Sequence, residues 1–168
     1  VYAPRMEAAL QSWSDFNVAM VGATAALAGL VIVAGSVNIT RIVESGSTGL
    51  IGRLASSIAS LVLALIASGL GLLPGITEGW FGGFLVAVSA LVFQIYVARM
   101  VLTDKHAGAE FRKVKAGLVL VPSLAYLVSG VAVLVGHPSG LYLAALGCAF
   151  AIIVALLTSW VALVEVLR

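Results

Sequence analysis

The sequence predicts an all-α membrane protein, a five-transmembrane-helix bundle forming one domain over residues 1–168, with the N-terminus outside and the C-terminus cytoplasmic. Three observations carry this expectation. Apolar residues gather into long blocks almost free of charge, short punctuated breaks separate the blocks, and Lys and Arg fall almost entirely on one side of the arrangement that results.

The first observation is a matter of solvent. Hydrophobic residues make up 62% of the chain and charged residues 10%, against about 45–50% and about 25% in an ordinary soluble domain. A water-soluble fold has no means of covering that much apolar surface, whereas a lipid surround requires it. The net charge of +2 gives no broad field for nucleic acid, which is not expected as a partner.

In chain order, the apolar blocks place spans at about 18–39, 54–73, 81–102, 116–135 and 141–164, each near the ~20 residues needed to cross a hydrocarbon core. The first block follows Arg5, Glu7 and Asp15, so it reads as a span rather than as the core of a cleaved signal. Ahead of it, Met6, Ala9, Leu10, Trp13 and Phe16 recur at helical spacing. That pattern fits either an outer interfacial helix over 1–17 or a continuation of the first span. Only the third span holds a charge, Arg99 near its end, where a long stem carries the guanidinium to the interface. Pro122 falls near the start of the fourth span and is expected to kink it.

The breaks read Glu44-Ser-Gly-Ser-Thr-Gly49, Leu73-Pro-Gly-Ile-Thr-Glu78, a charged stretch from Thr103 to Lys115, and Gly136-His-Pro-Ser-Gly140. Connections this short place successive spans side by side as antiparallel hairpins. With alternating spans, Arg41, Arg53, Arg99, Lys105, Arg112, Lys113, Lys115 and Arg168 share one side and Arg5 alone takes the other. The positive-inside rule makes the larger group cytoplasmic. Trp13, Trp80, Phe81 and Tyr142 then form an outer aromatic belt.

Within the spans, small residues recur every fourth position: Ser56, Ser60, Ala64 and Ser68 in the second, and Gly147, Ala151, Ala155 and Ser159 in the fifth. Such faces let helix backbones approach where lipid supplies little apolar driving force. Packing within the chain is the expected use, with oligomerisation or docking to another membrane protein the alternative. Gly22, Ala25, Ala26 and Gly29 form a similar face in the first span. Cys148, the single cysteine, reads as a small packing residue.

Polar groups at membrane depth are costly, so each is a candidate for a role. They are Asn38, Gln94, Arg99 and Glu165. Gln94 is expected to hydrogen-bond a neighbouring helix. The other three fall on the cytoplasmic side together with Arg41, and these four are expected to meet in one interfacial polar cluster with a structural, locking role. The two histidines, His106 and His137, are assigned to loops on opposite sides, which disfavours a haem held between helices. The sequence shows no metal-ligand spacing, nucleophile elbow, phosphate-binding glycine loop or paired intramembrane carboxylates. No catalytic, cofactor-binding or metal site is therefore expected.

The segments Trp13-Ser-Asp-Phe16, Gly22-Ala-Thr-Ala-Ala-Leu-Ala-Gly29 and Ser36-Val-Asn38, together with the terminal Ser159-Trp-Val-Ala-Leu-Val-Glu-Val-Leu-Arg168, resemble a family of small uncharacterised multi-span integral membrane proteins of actinobacteria and related bacteria. Some members carry the label of modulators of a membrane-bound protease. The resemblance covers the two ends and the general hydropathy between them, and it implies a bacterial plasma membrane.

The expected function is that of a non-enzymatic accessory or scaffold, packed against itself or a larger membrane assembly such as a respiratory complex, with the lipid bilayer and other integral membrane proteins as partners. A small oligomeric channel or carrier, lined by Gln94 and the glycine- and serine-rich helices, is one alternative. A regulator of membrane proteolysis, contacting a cytoplasmic partner through 103–115, is another.

The expected cluster is testable. A guanidinium offers a marginal carboxylate a bidentate partner, while interfacial water limits the gain. A double-mutant cycle of Arg99→Gln and Glu165→Gln, read as thermal stability in detergent, should show a coupling of about 0.5–2 kcal/mol. Strictly additive losses mean that the two side chains do not interact.

Overall fold

In a computed structural model, the structure describes residues 8, 10–44, 48–102 and 109–167. Side chains are described at these positions except 48–50, 53, 78, 90, 93–102, 109–120 and 165–167. The described residues are helical apart from short turns, with no strand among them. The helices are α1 (Ser14–Val37), α2 (Ile39–Glu44), α3 (Thr48–Leu70), α4 (Glu78–Leu102), α5 (Ala109–Leu134) and α6 (Ser139–Leu167).

Every apolar block read from the sequence is the body of a helix; each helix begins before its block, while α1, α3 and α5 end one to three residues short of theirs, at Val37, Leu70 and Leu134. α5 begins at Ala109, seven residues before the apolar run, because Glu110, Arg112, Lys113 and Lys115 are compatible with helix though not with lipid. It also runs through Pro122, which lies inside the helix.

Residues 8 and 10–12 are helical and stop at a turn on Trp13, whose N–H donates to the Leu10 carbonyl at 3.1 Å. α1 then starts at Ser14, with Asp15 in its first turn where the helix dipole favours an anion. The far end of α1 holds a feature that the sequence did not suggest. Asn38 stands outside helical geometry and its side-chain amide donates to the Ala34 carbonyl at 2.9 Å, the acceptor that a continuing helix would offer to its backbone N–H. The Asn38 carbonyl accepts from Ile42 N–H at 3.0 Å, and the chain resumes as the separate short helix α2.

Two glycines with positive φ make the described turns possible. In Leu73-Pro-Gly-Ile76, proline takes the second position and Gly75 the third at φ 71°, and Ile76 N–H donates to the Leu73 carbonyl at 3.3 Å. This is a type II turn. At the end of α5, Gly136 adopts φ 81°, its N–H donates to Val133, and His137 N–H donates to Ala132, both at 2.9 Å. This pair of bonds forms a Schellman cap, and Pro138 follows it as a helix stop.

The chain divides into two compact units, one made of Val1–Ser14 with Leu70–Phe150 and the other of Asp15–Gly69 with Ala151–Arg168. α6 gives its first part to the former and its second part to the latter. In the first unit α4 packs on α5 at a place where the backbones nearly touch. A Cβ built on Gly82 would lie 2.8 Å from the Gly130 carbonyl oxygen, and one on Gly130 would lie 2.7 Å from that of Gly82. Phe81, Leu85 and Ser89 on α4, with Tyr126, Ser129 and Val133 on α5, are buried around this contact. Phe81, read from sequence as part of an aromatic belt, is thus a core residue at 3% exposure, whereas its neighbour Trp80 is 78% exposed.

In the second unit the inward line of α3 runs Leu54, Ser57, Leu61, Ala64 and Ser68, alternating steps of three and four. That spacing follows the 3.6-residue turn, and Ala67, also buried, widens the inward face. α1 supplies Thr24, Ala28 and Val31 on the same pattern, and α6 supplies Ala151, Val154, Ala155, Ser159 and Ala162. Ala28, Val31, Ile42, Leu54, Leu61, Ala155 and Ala162 join as one apolar cluster.

Among the described residues, two helices are long and apolar enough to cross a membrane, Ser14–Val37 and Ser139–Val164. Shorter apolar helical stretches run over Leu54–Leu70, Gly79–Ser89 and Val121–Leu134.

The close approach sets a stability contrast. Gly130→Ala must move backbone and should cost about 1–3 kcal/mol, the usual penalty of overpacking. Gly22→Ala, where a Cβ meets nothing within 4 Å, should be neutral or stabilising by up to about 1 kcal/mol through helix propensity. Thermal unfolding in detergent compares the two, and equal shifts would contradict the packing described.

Candidate functional site

The polar groups of this chain mostly face their own helices. Thr24 Oγ1 donates to the Met20 carbonyl at 2.6 Å, Ser36 Oγ to Ile32 at 2.8 Å, Ser60 Oγ to Ser56 at 3.0 Å and Thr158 Oγ1 to Val154 at 2.7 Å. Ser89 does the same with the carbonyl of Leu85. Each bond closes over one turn, so the hydroxyl is satisfied without help from a neighbour.

Three buried contacts reach further. In the second unit Ser57 Oγ on α3 and Thr158 Oγ1 on α6 are 2.6 Å apart and share a hydrogen bond, with Ser57 1% exposed. In the first unit the Tyr126 hydroxyl donates to Cys148 Sγ at 3.2 Å, and both side chains are buried. Gly147 makes room for that ring: a Cβ there would come within 3.0 Å of Tyr126 Cδ1 and Cε1. Nearby, Ser129 Oγ donates to the Gly140 carbonyl at 2.7 Å, which ties α5 to the first turn of α6. At the surface of the same unit, Trp13 and Tyr142 meet edge to face with ring centroids 4.8 Å apart and planes at 89°.

The residues singled out from sequence divide clearly. In α6, Gly147, Ala151, Ala155 and Ser159 are all buried. In α3 only the later part of the row is inward: Ser56 is exposed, Ser60 is half-buried, and Ala64 and Ser68 are buried. A row stepping by four residues turns about 40° at each step, so a line that ends inside at Ser68 begins outside at Ser56. Ser57 holds the inward position there instead. Cys148 is buried, and its sulfur accepts from the tyrosine hydroxyl.

Asn38 is half-buried and its amide is turned back on α1. Gln94, Arg99 and Glu165 occupy helical positions in α4 and α6, and their side chains lie outside the described residues. The same holds for the side chains of Arg112, Lys113 and Lys115, while Arg5, Lys105 and His106 lie wholly outside them.

Ser159 Oγ is buried without a hydrogen-bond partner among the described residues. Its hydroxyl thus differs from Thr24, Ser36, Ser60, Ser89 and Thr158, which bond back along their own helices. No group of three or more His, Cys, Asp or Glu side chains gathers among the described residues, so the structure offers no set to which a metal can be assigned.

Tyr126, Ser57, Thr158 and the Gly82–Gly130 pair are the positions that sequence reading missed. The tyrosine carries a signal in hindsight: a phenol inside an apolar block must find a partner, and a cysteine in another block is one of the few groups available. Compared with known proteins, the chain matches no protein-family model, no curated protein and no solved structure.

The α6 row yields a paired substitution. Ala151 is 1% exposed and Ile153 is 50% exposed. Ala151→Leu should cost about 1–3 kcal/mol by overpacking and lower the yield of folded protein. Ile153→Leu should change stability by less than about 0.5 kcal/mol, as surface substitutions do. Thermal stability after mild extraction distinguishes the two, and equal sensitivity would place the packing face elsewhere.

Proposed function

We propose that the chain is a multi-pass protein of a bacterial plasma membrane, that α1, α3, α4, α5 and α6 each cross the bilayer with the N-terminus outside and the C-terminus cytoplasmic, and that the protein is a non-enzymatic accessory or scaffold packing against itself or a larger membrane assembly.

The observation that carries this reading is the surface of α1. Only 17% of its most apolar window is buried, and Leu30, Val33 and Val37 are 65%, 59% and 79% exposed. The core helix of a soluble protein would have the opposite balance, since an apolar stripe in water must be covered. Length agrees. The five helices have 24, 23, 25, 26 and 29 residues, about 35–44 Å at 1.5 Å per residue, against a hydrocarbon core of about 30 Å. The Trp13–Tyr142 contact supports an outer side shared by the N-terminal segment and the turn before α6.

The scaffold reading draws on the same helix. Gly22, Ala25, Ala26 and Gly29, expected from sequence to pack within the chain, are all exposed, and both glycines face open space. A small-residue face left open on an apolar helix suits close approach by a helix of another chain.

Co-purification after gentle detergent extraction tests the partner. A stoichiometric membrane protein or a stable homo-oligomer supports the scaffold, and a chain recovered alone as a monomer argues against it. Orientation is tested by single-cysteine labelling of intact cells in a Cys148→Ser background, which keeps a partner for the Tyr126 hydroxyl. Cysteines at Thr77 and Ser139 should react with an impermeant reagent, and those at Ser47 and Ala109 should react only after lysis. The reverse pattern would overturn the topology.

A further inference from the structure

α6 leaves one side uncovered along most of its length. Tyr142 and Trp160 are 65% and 69% exposed, with Leu146, Phe150, Ile153 and Leu157 exposed between them. A helix of 3.6 residues per turn gathers these six positions within an arc of about 80°. Buried Gly147, Ala151, Val154, Ala155 and Ser159 fall on the other side.

The two ends of this strip are in line. Trp160 follows Tyr142 by eighteen positions, which is five whole turns and about 27 Å along the helix axis. Both residues join an apolar ring to a polar atom, and such side chains sit where hydrocarbon gives way to headgroups. Their separation is close to the ~30 Å of a hydrocarbon core. From Tyr142 to Trp160 the helix carries no Asp, Glu, Lys or Arg.

We infer that this side of α6 faces lipid, with its aliphatic residues against acyl chains and Tyr142 and Trp160 at the two headgroup boundaries. The inference rests on the membrane-spanning reading proposed above and deepens it by assigning one helix side to one occupant. Two features set acyl chains apart from a second copy of the chain or another protein. Helices that pack together in lipid approach through small residues, and Ala149 is the one small residue among the exposed positions of 142–160. The strip is also small: about 27 Å by about 10 Å gives about 270 Å², against about 800 Å² on each partner of a stable protein interface. Acyl chains require neither condition, because each fits separately into the uneven surface that Leu, Ile and Phe present. A protein partner is thereby directed to α1, where Gly22 and Gly29 face open space.

Depth-dependent quenching tests the assignment. The full chain with Trp13→Phe and Trp80→Phe keeps Trp160 as its one tryptophan. It is placed in phosphatidylcholine vesicles that carry bromine either near the headgroup or deep in the acyl chains. Trp160 should lose more fluorescence to the shallow bromine. Ile153→Trp, combined with Trp160→Phe, moves the tryptophan to about 16.5 Å from Tyr142 along the axis and should lose more to the deep bromine. Phe150→Trp, about 12 Å from Tyr142, repeats the central measurement with one aromatic ring in place of another.

Central tryptophans that neither bromine quenches would mean that a protein chain covers the strip. Equal depths for the central tryptophans and Trp160 would mean that Trp160 marks no boundary. Either result overturns the inference. Failure of the underlying reading looks different: a chain that does not float with the vesicles removes the membrane itself, whereas one that floats with them and resists quenching at 150 and 153 removes only the assignment of this side.

Discussion

Thr24, Ser36, Asn38, Ser60, Ser89 and Thr158 all turn a side-chain donor back to a carbonyl four residues earlier. The repetition reflects one constraint on the whole chain, that each helix must satisfy its polar groups from its own atoms. With so few hydrogen-bonding side chains in the apolar blocks, a hydroxyl that waited for a partner on another helix would in most places find methyl groups. Self-sufficient helices are then free to associate by shape alone. Glycine, alanine and serine accordingly share the helix contacts with Leu54, Leu61, Phe81, Leu85 and Tyr126, and few of the described polar contacts cross between elements.

Those few contacts occur where small residues bring two elements close. Gly147 leaves space for the Tyr126 ring, and the ring places its hydroxyl on Cys148 one residue further along α6. Gly140 approaches α5 closely enough that its carbonyl accepts from Ser129. Steric permission comes first in each case and the hydrogen bond follows from it. Because one intramolecular hydrogen bond adds only about 1 kcal/mol net, these bonds fix the register of helices already in contact rather than drive the contact.

The helices were legible in the sequence because an apolar block of some twenty residues between Gly, Pro and charge has one economical reading. The rows of small residues were legible only in part. In α6 a wide face is buried and a four-residue step stays within it, so Gly147, Ala151, Ala155 and Ser159 are all buried. In α3 the row starts just outside the buried face at Ser56, and the four-residue step turns it inward only by Ala64. The contact between Gly82 and Gly130 could not be read at all, since both belong to blocks rich in small residues and the register of one helix on the next is a tertiary property. Asn38 has a local role that the sequence did not suggest. Its side-chain amide donates to the Ala34 carbonyl at the point where α1 ends and α2 begins, while the side chains of Arg99 and Glu165, its expected partners, lie outside the described residues.

The glycines divide into two populations with different histories ahead of them. At Gly82, Gly130 and Gly140 even a methyl group would strike backbone within 3.0 Å, while at Gly22, Gly29, Gly52, Gly69 and Gly83 it would meet nothing within 4 Å. Every single-nucleotide missense change at the first three codons replaces the hydrogen with something larger, so those sites have no tolerable neighbour in sequence space. Lineages carrying this fold can alter the second group freely until another chain comes to rest against it. A glycine of that open group that proves as immobile over descent as Gly130 would therefore mark a surface occupied in the cell.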